Sequence, residues 1–244
     1  MSTASIIIIG DEILANKFRD ENTPFLLDRC ANLHLEVLSV QIIPDDLSRI
    51  ATTVKTESER STYVFTTGGV GPTHDDMTFE GVAKAFKVPV ERHPTLVSLI
   101  DQYDRTIQVK EAAYRMADIP QGAELIPTNR GFPQIKVNNV FIFPGIPNLL
   151  RAKFTAIEHL LVGRRKFHGK VYLNTHESPI ARELSNAQNR NSDVDLGSYP
   201  RMGEVPSLIL TIQGFNESRV TEVQRELEDI FRVYLNPSSY PSLT

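Results

Sequence analysis

Apolar positions open the chain as a block. Ser5 leads into Ile6, Ile7, Ile8 and Ile9, and Gly10 ends the run. A short β-branched run without polar alternation predicts a central parallel strand covered on both faces. Over 22–33 the apolar residues fall at helical spacing, with Phe25, Leu26 and Cys30 among them. Residues 35–43 predict a second strand, stopped by Pro44, and Asp46 is placed to cap a helix carrying Leu47, Ile50 and Val54 on one face. A third strand over 61–67 ends at Gly68-Gly69, and a helix follows over about 77–86. Strand and helix in alternation predict a parallel sheet with helices on both sides.

From Pro94 to Asp118 the pattern is helical but less regular. Short strands are predicted over 123–126, 134–137 and 140–143; Asn138-Asn139 forms a two-residue turn between the last two, since Asn tolerates positive φ. Ile146, Leu149, Leu150, Phe154, Ile157, Leu160 and Leu161 then make a helical stripe, with Pro147 in the first turn, where its missing N–H costs nothing. The polar break Gly163-Arg164-Arg165-Lys166 predicts a boundary, giving an α/β domain over 1–165, a small α+β domain over 166–236 and a tail over 237–244. The second domain is expected to hold a strand over 170–174 and a helix with Ser178 as N-cap and Pro179 as N1, running through Gln188. A strand over 205–213 and a final helix from Val220 to Tyr234 complete it, with fraying from residue 236.

Composition narrows the function. The 244 residues are 41% hydrophobic and 23% charged, an ordinary globular balance. A net charge of −4 argues against nonspecific nucleic-acid binding, which needs a basic face. A single cysteine, Cys30, excludes an internal disulfide framework and a cysteine-based zinc site, and reads as a core residue. No apolar run approaches the ~20 residues of a membrane span, and the N-terminus lacks the basic and apolar regions of a signal peptide, so a cytoplasmic protein is expected.

Chemistry concentrates where strands end. Thr66-Thr67-Gly68-Gly69-Val70-Gly71-Pro72-Thr73-His74-Asp75-Asp76-Met77-Thr78 joins a strand to a helix, and its glycines, hydroxyls and helix N-terminus suit an anion such as phosphate. No Lys follows the glycines, so this is not a Walker A loop. Asp75 and Asp76 suit a divalent cation that grips phosphate, or the orientation of a water. A tight turn with a capped helix explains the same residues without a ligand. Asp11-Glu12 and Asp45-Asp46 follow the first two strands, so acidic pairs converge on the carboxyl edge of the sheet, where open α/β sheets place ligands. Asp46 alone reads better as a helix cap; the three acidic pairs Asp11-Glu12, Asp45-Asp46 and Asp75-Asp76 as a group are hard to explain without a cation among them, since like charges repel otherwise. Phe143-Pro144-Gly145-Ile146-Pro147 brings another helix entry to that rim, as a turn or as a binding element. Among the histidines only His74 lies where it could face a ligand. Glu177 and Arg182 read as solvated charges on a helix rather than contacts.

These residues carry a resemblance. TTGGVGPTHDDMTFEGVAKAF, GDEIL near the start and FPGIP near residue 145 resemble the molybdopterin-binding (MogA/MoaB-like) superfamily. The nearest branch is that of the CinA N-terminal region and the molybdopterin-binding-like domain of eukaryotic FAD synthases. Asp20-Glu21-Asn22, Ile43-Pro44-Asp45-Asp46, Arg115-Met116-Ala117, Asn129, His176-Glu177-Ser178 and Leu196-Gly197-Ser198-Tyr199-Pro200 support it across about residues 5–235. Asn16 stands where the family usually has Gly, and Gly131-Phe132-Pro133-Gln134 departs from the CinA loop.

The resemblance implies a three-layer α/β/α sandwich with a mostly parallel sheet. It gives Asp45 and Asp76 the acidic roles of pterin-binding members. It also implies a homo-oligomer, dimer or trimer. The branch hydrolyses dinucleotide pyrophosphates with a divalent metal (Mg, Mn or Co), often helped by potassium. The chain is therefore expected to be a stand-alone pyrophosphatase splitting FAD, or a related dinucleotide such as ADP-ribose, into FMN and AMP in the FAD case. Gly68, Gly69, Gly71 and Thr73 would hold the phosphates, with Thr78, Asn22, Pro144 and Gly145 as further contacts. Asp11, Asp45, Asp75 and Asp76 would hold the cation or position water, with Asp11, Asp45 and Asp76 as the metal ligands. The alternative is a molybdopterin- or nucleotide-binding module without hydrolysis.

Overall fold

The computed structural model describes residues 2–103, 107–128 and 131–236. Asn129, residues 104–106 of the irregular helical stretch and the tail over 237–244 lie outside these. The chain divides into two compact units after Arg164.

Unit 1 runs β1 (Thr3–Ile9), α1 (Asp11–Leu14), α2 (Asn22–Asn32), β2 (Glu36–Ile43), α3 (Leu47–Arg60), β3 (Tyr63–Thr67), α4 (Thr78–Phe86), β4 (Val90–Arg92), α5 (Pro94–Tyr103), α6 (Ile107–Ala113), β5 (Asp118–Pro120), β6 (Glu124–Ile126), β7 (Gln134–Val137), β8 (Val140–Phe143) and α7 (Pro147–Ile157). Its six-stranded sheet has the order β2-β1-β3-β8-β7-β6. The first four strands in that order are mutually parallel, and β7 and β6 continue antiparallel.

The isoleucine block explains the layering. Successive side chains on a strand point to opposite faces. Ile7 and Ile9 enter a core with Ile50 and Val54 of α3 and Val82 of α4. Ile6 and Ile8 enter a second core with Leu26 and Cys30 of α2 and Leu150 and Phe154 of α7. Helices therefore cover both faces of a mostly parallel sheet. Asn138, at φ 52, supplies the left-handed residue of the β7–β8 turn. Burial pushes the Cys30 thiol up to about 12, which keeps it protonated inside that second core.

Register aligns the strand ends. Ile9 pairs with Ile43, Ile8 with Thr67, and Thr67 with Phe143. The loops after β1, β2, β3 and β8 therefore leave from one edge of the sheet. The two-stranded β4–β5 sheet was not anticipated: its strands are three residues each, too short to show alternation.

Unit 2 contains β9 (Phe167–Leu173), α8 (Ala181–Arg190), β10 (Val194–Pro200), β11 (Leu208–Gly214) and α9 (Glu217–Ile230). An antiparallel sheet of order β10-β11-β9 packs on its helices through Val171, Leu210, Ile212, Val223 and Leu227. Three expectations are corrected. Ser178 and Pro179 form a turn, and α8 begins only at Ala181, without a side-chain cap. β11 starts at Leu208 rather than Val205. Asn236 is buried and its amide donates to the Tyr172 carbonyl, so the chain is tied down there instead of fraying.

Candidate functional site

The loop after β3 is shaped by contacts that only glycine permits. Gly68 has φ 101, and a Cβ there would lie 2.0 Å from the Ile9 carbonyl oxygen. Gly69 has φ 60, and its Cβ would meet Thr78 Oγ1 at 2.5 Å and Asp45 Oδ1 at 3.1 Å. The loop thus lies on the end of β1 and against the carboxylate that follows β2. It is closed by Thr78, whose amide donates to the Gly69 carbonyl (2.9 Å) and whose hydroxyl donates to the Gly68 carbonyl (2.7 Å).

Asp76 folds back into the same loop. Its Oδ1 accepts from the Gly71 amide at 2.7 Å, and its Oδ2 accepts from the Thr73 amide at 2.9 Å and from the Thr73 hydroxyl. Asp75, beside it, is exposed. Its carboxyl is held below the usual range, first by the Thr73 hydroxyl and then by its own backbone amide, with His74 and Arg115 adding positive charge. That hydroxyl has one proton, and its direct hydrogen bond goes to Asp76, so Asp75 is the less constrained of the two.

Asp45 is half-buried at the end of β2, where its Oδ2 accepts from the Asp11 amide at 2.9 Å. Its carboxyl is pushed above the usual range, by burial first; the Asp11 amide opposes this, and the charges of Glu12, Asp11 and Asp75 reinforce it. Three acids from two other loops therefore act on one carboxylate. Asp46 is not among them: it caps α3 by accepting from the Arg49 amide at 2.7 Å.

The expected trio of Asp11, Asp45 and Asp76 is not drawn together as a ligand set. Among the described residues, no group of three or more His, Cys, Asp or Glu side chains is arranged to hold a metal. The reason is Asp76, whose oxygens already serve the loop's own amides. The donor chemistry that fits a hard divalent cation is Asp45, with Asp11, Glu12 and Asp75 adding negative charge.

The FPGIP turn closes the other side. The Thr67 hydroxyl donates to the Pro144 carbonyl at 3.0 Å, and Gly145 approaches so closely that its Cβ would stand 3.4 Å from Gly68 Cα. Asn22, buried at the start of α2, donates from Nδ2 to the Gly145 carbonyl (2.7 Å) and to Thr67 Oγ1 (3.1 Å). Carbonyl oxygens only accept, so this orientation is fixed, and it leaves Asn22 Oδ1 buried without a hydrogen-bond partner. Gly68, Gly69, Asp45, Asp11, Thr78, Asn22, Pro144 and Gly145 are thus brought to one rim, while Gly71, Thr73 and Asp76 build the loop from within.

Lys153 was missed. It sits on α7 three residues after Leu150 and four before Ile157, so the apolar stripe itself turns it inward. Its ammonium donates to the Phe132 (2.9 Å) and Pro133 (2.5 Å) carbonyls, and burial pulls it down to about 8. Outside this rim, unit 1 has a groove of about 750 Å³ lined by Tyr63, Lys136 and Phe141, near the opening rather than the closing end of β3. In unit 2, Glu177 accepts from the Ser198 hydroxyl and, with His176, Ser178 and Arg201, lines a cavity of about 450 Å³, while Arg182 is exposed.

A glycine loop bordered by acids thus lies on the carboxyl edge of a sheet covered by helices on both faces, the edge where open α/β sheets place ligands. Residues 5–162 match the family described as "Probable molybdopterin binding domain", and residues 166–235 match "FAD synthase, middle domain". The chain belongs to the molybdopterin-binding domain family, with the FAD-synthase middle domain following it. A "Probable FAD synthase" of Caenorhabditis elegans is 30% identical, over 82% of this chain and 44% of its own length. A "CinA-like protein" of Gloeobacter violaceus is 30% identical, over 83% of this chain and 51% of its own length. The chain therefore spans about half the length, or less, of these two relatives. A crystal structure of CinA from Thermoplasma acidophilum superposes with a TM-score of 0.60 at 29% identity, covering 66% of this chain and 99% of that one.

Proposed function

We propose that this chain hydrolyses the pyrophosphate of a dinucleotide, with FAD as the first candidate and FMN and AMP as products. The observation that carries the reading is the contact between Gly69 and Asp45: a glycine turn able to receive a phosphate lies directly against a carboxylate that three further acids surround. The FAD-synthase middle domain over 166–235 supports the choice of nucleotide.

In this reading, Gly68 and Gly69 let a phosphate approach the backbone. Asp76 is a positioning residue that holds the loop open through Gly71 and Thr73. Asp45 would hold Mg, Mn or Co, with Asp11 and Asp75 adding negative charge around it; the ion would supply charge neutralisation on the phosphates and acidify a bound water. Potassium is a further candidate ion. Asp75, exposed and ionised, orients the attacking water. The water oxygen bonds to one phosphorus, the bridging P–O bond breaks in line, and the water's protons pass to solvent and to the leaving phosphate. Asn22 holds the Pro144-Gly145 turn against the loop and keeps one acceptor free for a donor on the substrate.

A second reading, a molybdopterin- or nucleotide-binding module without hydrolysis, draws support from Asp76, whose carboxylate is spent on the loop. One screen separates the two. FAD, ADP-ribose and NADH are each incubated with Mg²⁺, Mn²⁺ or Co²⁺, with and without K⁺, and AMP release is followed. AMP from FAD supports hydrolysis. Calorimetric binding of FAD or molybdopterin with no AMP from any dinucleotide overturns it in favour of the module.

A further inference from the structure

We infer that unit 2 carries a mononucleotide site of its own, in the cleft between the loop after β9 and the hairpin that joins β10 to β11. The cleft encloses about 450 Å³, and every residue lining it belongs to unit 2. Small-molecule sites span about 300–1,000 Å³, so the size suits a ligand of this class. The inference stands whether or not unit 1 hydrolyses a dinucleotide.

Hydrogen bonds hold the two walls to each other. The Ser207 hydroxyl on the hairpin donates to the Thr175 carbonyl on the loop at 3.0 Å. The Ser198 hydroxyl of β10 donates to Glu177 Oε1. Within the hairpin, the Arg201 amide donates to the Ser207 carbonyl at 2.8 Å, and Gly203, at φ 76, turns the chain back. The cleft is thus set by the sheet beneath it and by cross-wall bonds.

Three kinds of group meet there. Glu177 gives one oxygen to Ser198, and among the described residues no cation pairs with its carboxylate. Arg201 spends Nη2 on Glu204, an ion pair exposed enough to contribute little, which leaves Nε and Nη1 as donors. His176 adds a second nitrogen-bearing side chain. The third kind is apolar: Pro200 is exposed, and Met202 is 96% exposed at the cleft. A thioether makes favourable contacts with an aromatic ring.

The occupant follows from this mixture. A bare anion meets the charge of Glu177, and a purely apolar molecule leaves Glu177 and Arg201 stripped of water without partners, which is costly. A mononucleotide carries a match for each group. Its phosphate accepts from Arg201 and His176, a sugar hydroxyl or ring N–H donates to Glu177, and its flat ring covers Met202 and Pro200. AMP and FMN share this chemistry.

Methionine-methyl NMR of the full chain tests this. Met202 lies in the cleft, while Met77 follows Asp76 in unit 1, so each unit has its own reporter. The two signals are assigned through Met202→Leu and Met77→Leu. AMP, FMN and inorganic phosphate are then titrated separately. The Met202 signal is expected to move saturably with AMP or FMN, and the one that binds more tightly identifies the ring. Loss of a charged hydrogen bond should weaken that response about 10-fold or more in Arg201→Ala and in Glu177→Ala, with the Met77 signal behaving as in the wild type. A Met202 signal unmoved by both nucleotides at millimolar concentration overturns the inference. So does an equal response in the wild type and both variants, or a response to phosphate alone as strong as to either nucleotide. Circular dichroism checks that the variants fold; Arg201→Lys and Glu177→Gln replace any that do not.

Discussion

Gly68 is the residue whose replacement the loop tolerates least. A Cβ would sit 2.0 Å from a backbone carbonyl that cannot rotate away, because Ile9 is held in the centre of the sheet. Gly68→Ala is therefore expected to cost about 1–3 kcal/mol from the left-handed φ, with the clash added, and to abolish turnover. Urea unfolding and an activity assay read the two effects. The paired acids separate in the same way. Asp46→Ala removes a helix cap and should cost about 1 kcal/mol of stability while leaving the rate per folded molecule unchanged. Asp76→Asn keeps one acceptor oxygen for the loop, so it should retain more activity than Asp76→Ala; equal losses would mean that the charge itself takes part in the chemistry. Sequence alone could not tell Asp45 from Asp76. Both follow strands and both belong to Asp-Asp pairs. Which one faces the rim depends on whether the loop's own amides can reach it, and that is a property of the folded turn.

At the level of elements, β2 is tied to α3 by one carboxylate. Glu57 is buried and accepts from Ser5, Ser39 and Gln41. Glu57→Ala would strand those donors, and a loss of about 2–4 kcal/mol is expected in chemical denaturation. α7 carries a pH response. Lys153 is near 8 when folded and near 10.5 when exposed. Between those values the unfolded chain holds more protons, so stability should rise with pH from about 8 to 10.5; the cost of the buried charge is fully present below 8. Unfolding free energies at several pH values should show this rise in the wild type and its loss in Lys153→Met. A wild type and variant of equal slope would contradict it. The elements best written in the sequence were those whose pattern matched their burial: the isoleucine block of β1, the Asp46-capped α3, the Asn138 turn. β10 was hidden because Asp195, Gly197 and Pro200 dilute a strand whose outer residues are solvent-facing. Ser178-Pro179 mimicked a helix start because a tight turn favours the same residues.

For the whole molecule, two units with separate cores stand on either side of the Arg164–Arg165 bond. Among the described residues, no helix is long and apolar enough to cross a membrane. The family and the layered sheet were legible because motif and periodicity agreed. The metal set was not, since carboxylates at strand ends can serve a cation or their own backbone equally well. Unit 1 carries the glycine loop and its surrounding acids, and the proposed hydrolysis rests on Asp45. The most direct test is the initial rate of AMP and FMN formation from FAD, with saturating divalent cation, for wild type, Asp45→Ala and Asp46→Ala. Several kcal/mol of lost transition-state stabilisation corresponds to a fall of about 100-fold or more in Asp45→Ala, with Asp46→Ala near the wild-type rate. An Asp45→Ala protein that is folded and splits FAD as fast as the wild type would contradict the mechanism.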